Sequence, residues 1–291
     1  MSEPFDVVVC GSLHLDVMVK APHLPRLDET AVGSDWELKC GGKGGNQAVM
    51  ARRAGARTAM IGCVGKDDFG DRLLANLDAA GVDRTAVGVD ASVRSGMSVA
   101  IVDAAGDYGA VIVSGSNLAI PPGEIGPLWA RLGGGRVLML QNEAPEAVNV
   151  AAARAARAAG ARTILNAAPA RTLSAEFLDL VDTLVVNRVE AEMMSGLPVA
   201  SAADALAALP RLSAAGRDVV ITLGGDGLVL QPAREAPTVI PPHKVAVVST
   251  HGAGDSFLGS LACALARGSA LEDACRIANR AAADYVSAPG S

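Results

Sequence analysis

Short apolar runs recur along the chain, between longer stretches whose apolar residues fall at helical spacing. Residues 5 to 10 (F-D-V-V-V-C) form such a run and stop at Gly11-Ser12, and runs at 58 to 64, 137 to 140, 163 to 166, 183 to 187 and 218 to 223 also read as strands. The spacing predicts helices at 70 to 80, with Leu73, Leu74 and Leu77 inward and Gly81 as the stop, and at 145 to 159, 174 to 180, 189 to 195 and 202 to 215. Strands that alternate with helices imply an α/β protein whose parallel sheet is covered on both faces. Leu13 to Val19 alternates as a half-exposed strand should, and 21 to 40 runs through Pro22 and Pro25 to Trp36 as loop and edge strand. Residues 97 to 102 and 109 to 113 flank Asp103-Ala104-Ala105-Gly106-Asp107 as a hairpin. The run Val245 to Val248 reads as one more buried strand, which leads through the small-residue turn Gly252-Ala253-Gly254 into helically spaced Phe257, Leu258, Leu261 and Leu265.

Composition changes this picture little. Half of the 291 residues are hydrophobic but only 3% are aromatic, so the core is built from Ala, Val and Leu. Ala-rich stretches such as Ala151 to Ala161 are good helix formers rather than linkers. No apolar run approaches the ~20 residues of a spanning helix, and M-S-E-P-F-D-V-V-V lacks a basic leader, so a cytoplasmic protein with no membrane partner is expected. A net charge of -6 argues against nonspecific nucleic-acid binding. The five cysteines, Cys10, Cys40, Cys63, Cys263 and Cys275, form no C-x-x-C and fit reduced, packed thiols.

Candidate chemistry concentrates at two glycine-rich stretches. A turn such as Gly252-Ala253-Gly254 at a helix start aims backbone N–H groups at one spot and favours an anion. Asp255 beside it suits a base that accepts a proton from a hydroxyl attacking phosphorus, and it equally suits a helix cap. A dinucleotide fingerprint would need glycine where Phe257 stands, and Gly62 to Asp67 has the wrong spacing for a Walker A loop, so a dinucleotide-dependent oxidoreductase is excluded. In the second stretch, Gly41-Gly42-Lys43-Gly44-Gly45-Asn46-Gln47-Ala48, glycines admit a ligand close to the backbone while Lys43 and Asn46 supply donors. A helix is expected to run on from this turn through Ala48, Val49 and Ala51 to Gly55.

G-A-G-D-S-F and G-G-K-G-G-N-Q-A resemble the two signatures of the ribokinase-type sugar kinases, the phosphofructokinase-B family, and the resemblance runs in order over nearly the whole chain. It implies one domain over 1 to 291: a ribokinase-like three-layer α/β sandwich with a mainly parallel central sheet and a small β-sheet lid from about 13 to 40 and 95 to 115. It implies an ATP-dependent kinase acting on the primary hydroxyl of a sugar, with ribose favoured by the second motif. A nucleoside kinase and a noncatalytic sugar or nucleotide sensor are the alternatives.

The same resemblance assigns residues. The sugar would be held by Asp16, Gly42, Lys43, Asn46 and Glu143, with its hydroxyl presented to Asp255. His14 stands where ribokinases usually carry Asn, and Asp16 also reads as an outward-facing carboxylate. Gly252, Ala253 and Gly254 would stabilise the transferred phosphoryl group. Asn187 and Glu190 match N-x-x-E, in which the acid helps hold Mg2+, often through water, and the Asn faces the phosphates. Thr222, Gly224, Gly227 and Gly254 would lie along the nucleotide, with Asn279 beside the adenine. Family members that need K+ carry Asp where this chain has Ser249, so any potassium site in that loop is expected to be weak, and His251 occupies the variable position. A lid with open strand edges is expected to pair two copies as a homodimer.

Overall fold

Alternate residues of the first strand go to opposite sides of a sheet. In β1 (Phe5–Cys10), Val7 and Val9 join one buried cluster while Val8 and Cys10 join another, the result of a side-chain period of two on a strand covered on both faces. The computed structural model describes residues 3–105, 107–213 and 216–288. The chain continues through β2 (His14–Lys20), β3 (Asp35–Gly41), α1 (Lys43–Arg53), β4 (Thr58–Gly65), α2 (Asp68–Ala80) and β5 (Asp83–Asp90). Then come β6 (Gly96–Val102), β7 (Tyr108–Val113), α3 (Ile125–Leu132), β8 (Gly135–Gln141), α4 (Glu146–Ala158), β9 (Arg162–Asn166) and α5 (Ala175–Asp179). The last part holds β10 (Thr183–Asn187), α6 (Arg188–Ser195), α7 (Ala202–Leu212), β11 (Asp218–Thr222), β12 (Leu228–Gln231), β13 (Thr238–Ile240), α8 (Ala253–Ala266) and α9 (Leu271–Ser287).

The large sheet has the order β13-β12-β11-β10-β9-β8-β1-β4-β5; it is parallel from β11 to β5, with β12 and β13 antiparallel at one edge. One face packs on α3 to α7 through residues such as Trp129, Val148, Phe177 and Leu209, and the other on α1, α2, α8 and α9 through Val49, Leu73, Leu261 and Cys275. These are the three expected layers. A separate sheet, β3-β2-β6-β7, is antiparallel at both outer pairs and parallel at β2–β6. Among the described residues no helix is long and apolar enough to cross a membrane.

The contact that positions the site is between α1 and α8. A Cβ on Gly259 would lie 2.5 Å from the Ala51 nitrogen and 2.6 Å from the Met50 carbonyl carbon, so α8 rests with its backbone directly against α1. One turn nearer its N-terminus, α8 then brings Asp255 to the start of α1.

Several expectations are corrected. Val245 to Val248 is neither strand nor buried: Val245, Val247 and Val248 are 37%, 58% and 61% exposed. β13 ends at Ile240, and Pro241 and Pro242, which lack N–H groups, cannot extend a ladder. The run lies along α9 instead, with the Val248 and Ser249 N–H groups donating to the Val286 carbonyl. The glycine-rich stretch is not a turn before a helix but the helix itself, since α1 starts at Lys43 with Gly42 as its N-cap. β5, α3 and β13 lie where the periodicity predicts no element, β5 and β13 being the edge strands of the sheet. Gly106 of the 103 to 107 hairpin, and 214 and 215 of the helix expected to reach 215, lie outside the described residues.

Candidate active site

The strands of an open parallel sheet end along one line, and ligands collect beyond it. Here β8, β9, β10 and β11 run out into Glu143, Asn166, Asn187 and Thr222, and together with β2, β6 and the N-terminus of α8 they surround a cleft of about 550 Å³. Its walls are polar where β2 and α1 meet: His14, Asp16, Lys43, Asn46, Glu143 and Asp255 all face it. A second cleft of about 320 Å³ adjoins the first along Thr222, Thr250, Gly254 and Phe257, and Val245, Val247, Ala282, Ala283 and Val286 give it an apolar lining. Two of the exposed valines, Val245 and Val247, thus form part of the wall of a cavity.

Glycines set the polar cleft. Gly42 has φ +84, and a Cβ there would lie 2.8 Å from the His14 nitrogen; a Cβ on Gly44 would lie 2.6 Å from the Ser12 nitrogen. Only a side-chain-free α1 start can press on the turn between β1 and β2. At Gly41 a Cβ would strike the Asp16 carboxylate at 2.1 Å, so this glycine makes room for the acid. Asp16 faces the cleft rather than bulk solvent and accepts from Ser98 Oγ at 2.5 Å. Glu143 Oε2 accepts from Ser12 Oγ at 2.5 Å and from the Lys43 N–H at 2.8 Å. His14 is 4% exposed, and its Nε2 is buried without a hydrogen-bond partner.

Asp255 sits in the first turn of α8, but it is not the N-cap. That position belongs to Gly252, with φ +78 and the Tyr285 hydroxyl oxygen 3.0 Å from where a Cβ would be. The Asp255 carboxylate instead accepts from Asn46 Nδ2 and Gln47 Nε2, both at 3.1 Å. Burial pushes its pKa up, against the opposing pull of the Gln47 bond, the Lys43 charge and the Asn46 bond, while the Glu143 charge adds to the rise. Among the described residues, the N–H groups of Gly252, Gly254 and Asp255 find no protein acceptor and are free for an anion, whereas that of Ala253 turns back to the Thr250 carbonyl at 3.3 Å.

The nucleotide-side residues also gather here. Asn187 and Glu190 form a reciprocal helix cap: the Asn187 N–H and Nδ2 donate to the two Glu190 oxygens at 2.7 and 2.8 Å, and Asn187 Oδ1 accepts from the Glu190 N–H at 3.0 Å. Glu190 is 7% exposed, and burial raises its pKa despite Asn187 and the Lys43 charge. No group of three His, Cys, Asp or Glu able to hold a metal occurs among the described residues. This donor set fits a magnesium ion that takes most of its oxygen ligands from phosphates and water. Thr222, Gly224, Gly227 and Asn279 line the apolar cleft, and Asn279 Nδ2 donates to the Pro241 carbonyl at 2.9 Å. Arg188 Nη2 donates to the Leu223 carbonyl at 2.8 Å, which pins the glycine turn. Ser249 is committed within its loop, its Oγ accepting from the His251 N–H at 3.2 Å, and His251 is exposed at the rim of the polar cleft. Ser12, Gln47 and Ser98 also hold the site together and are not among the residues that the sequence singles out. Gln47 alone carried a signal, its place in the glycine motif.

The family model for pfkB family carbohydrate kinases matches residues 5–291. The chain is 35% identical to the ribokinase of Bacillus subtilis (strain 168) over 286 residues, 98% of this chain and 94% of that protein. It is 34% identical to the Mus musculus ribokinase over 290 residues, covering 98% and 90%. The solved structure of Arabidopsis thaliana ribokinase complexed with ribose and ATP matches with a TM-score of 0.91 at 30% identity, covering 100% of this chain and 95% of that one.

Because the folded protein holds the Asp255 proton more tightly than an unfolded chain does, this group's contribution to stability is present below the ordinary carboxylate range and is lost as pH rises through the raised folded value. A carbon-detected NMR titration of the Asp255 carboxyl is expected to give a midpoint above the usual 3.8. A midpoint at or below that value would contradict the burial argument.

Proposed function

Since the chain belongs to the pfkB family of carbohydrate kinases, we propose that it transfers the terminal phosphoryl group of ATP to the primary hydroxyl of D-ribose. The observation that carries this reading is the meeting of two unlike clefts at one helix N-terminus. The polar cleft offers carboxylate, amide and ammonium groups to a polyol, the apolar one offers a wall of valines and alanines to a flat base, and Gly254 belongs to both.

In this reading Asp16, Asn46 and Glu143 take the sugar hydroxyls, with His14, Gly42 and Lys43 completing the wall. Asp255 accepts the proton of the primary hydroxyl as its oxygen bonds to the terminal phosphorus; the bond from that phosphorus to the bridging oxygen breaks and ADP leaves. The free amides at Gly252 and Gly254 face the charge that spreads over the transferred group, and Ala253 shapes the turn that aims them. Glu190, oriented by Asn187, would hold Mg2+ with Thr222 and the 224 to 227 turn alongside the phosphates, and the ion would supply charge neutralisation there. Asn279 keeps the base cleft open through its bond to Pro241. The smaller sheet closes over the sugar and excludes water, a competing acceptor. Five free thiols and the use of ATP fit a reducing compartment, the cytoplasm.

Three measurements test this reading. A coupled ADP-release assay over pentoses, hexoses and nucleosides is expected to favour ribose, and Asp255→Asn to lower kcat by ~10²–10⁴ with little change in KM. Faster turnover of a nucleoside than of any sugar would replace ribose as substrate, and an active Asp255→Asn would remove the base. From Pro241 to Gly254 the chain has no acidic residue, and Ser249 offers only a neutral hydroxyl, so exchanging sodium for potassium should leave kcat nearly unchanged; strong activation by K+ would show that carbonyls alone build the site. Finally, β3 and β7 leave free edges with Trp36, Val111 and Ile112 exposed, which supports a homodimer through the lid sheet, expected by light scattering and refuted by a monomer at micromolar concentration.

A further inference from the structure

Two buried glutamines lie behind the carboxylate of Asp255, outside both clefts. Gln47, on the second turn of α1, is fully buried and lines neither cavity. Its Nε2 donates to Asp255 Oδ1 at 3.1 Å, and its Oε1 accepts from Gln141 Nε2 at 2.6 Å. Gln141, also fully buried, closes β8: its side chain fills the space beside Gly11, where a Cβ would lie 2.0 Å from an Oε1 that has no hydrogen-bond partner among the described residues, and its backbone carbonyl accepts from Asn149 Nδ2 at 2.8 Å. An amide has two unlike ends, so a glutamine beside a carboxylate can present either a donor or a repelling oxygen. With its oxygen engaged by Gln141, Gln47 turns its NH2 to Asp255.

We propose that Gln47, oriented by Gln141, is a positioning residue for the base: it fixes one carboxylate oxygen of Asp255 from behind and leaves the other to the side that Asn46 and the sugar hydroxyl share. The inference rests on the kinase reading above. Asn46 contacts the same carboxylate but lines the polar cleft, so the two neighbours in the motif divide the work, one toward the sugar and one toward the base. The Gln47 bond also opposes the upward push of burial on Asp255, so it keeps more of the base ionised at a given pH.

The test is the pH profile of Gln47→Met, which keeps the chain length and removes the donor. The acid limb of kcat/KM is expected to move to higher pH and the plateau kcat to fall about tenfold, the usual scale for a hydrogen bond to a charged group, while KM for the sugar stays within about twofold. Asn46→Ala serves as the contrast and should raise KM. Gln141→Met, which does not touch Asp255, should move the limb in the same direction by less. A wild-type profile in Gln47→Met, or a raised KM with an unmoved limb, would overturn the assignment. So would loss of folding in both glutamine variants, because the pair would then be structural. No turnover of any sugar by the wild type would remove the kinase reading and this role with it, whereas normal wild-type turnover beside an unshifted variant removes the positioning role alone.

Discussion

A half-buried carboxylate that lines the polar cleft joins two helices from opposite ends of the chain. Asp255 in α8 accepts from Asn46 and Gln47 in α1, and these donors compensate part of the cost of taking a charge out of water. The arrangement needs the two helices in backbone contact, which Gly259 permits, and it needs the start of α1 pressed on the turn after β1, which Gly42 and Gly44 permit. The glycines of both motifs therefore act first on packing. Their effect on a ligand follows from the close approach they allow.

The same geometry separates two kinds of recognition. On the α1 side the cleft is lined by side chains whose own hydrogen bonds are already organised: Glu143 by Ser12 and the Lys43 amide, Asp16 by Ser98. A polyol entering there meets acceptors that need little reordering, which lowers the entropic cost of binding. On the α9 side the lining is mainly aliphatic and offers surfaces more than hydrogen bonds. The unpaired amides at the start of α8 lie where the clefts meet, and they are the natural place for negative charge.

His14 and Ser249 show how local departures act within a shared fold. An imidazole at the first residue of β2, with a buried nitrogen that has no partner, changes one wall of the polar cleft without touching Asp255 or its donors. Ser249 brings only a neutral hydroxyl to the loop beside α9, and the backbone bonds that seat that loop, from Val248 and Ser249 to Val286, are independent of the side chain.

The strands of the large sheet were legible because burial on both faces leaves an apolar run that no other element explains, as in β1, β10 and β11. Asp255 and the glycine motif were legible as candidates because each is a set of residue types at fixed short spacing. The apolar run at 245 to 248 misled, because hydrophobicity records that a residue avoids water and not what covers it; here the cover is a cleft wall. Edge strands such as β5 and β13 gave weak periodic signals for the related reason that one side of them stays wet. Gln47 and Asp255 are 208 positions apart, and no local pattern encodes that their side chains meet. Sequence alone thus determined the central strands of the sheet, the candidate residues Asp255 and the glycine motif, and the helix that presents Asp255. Only the tertiary structure decided which groups stand behind the Asp255 carboxylate, since that depends on the close approach of two helix backbones.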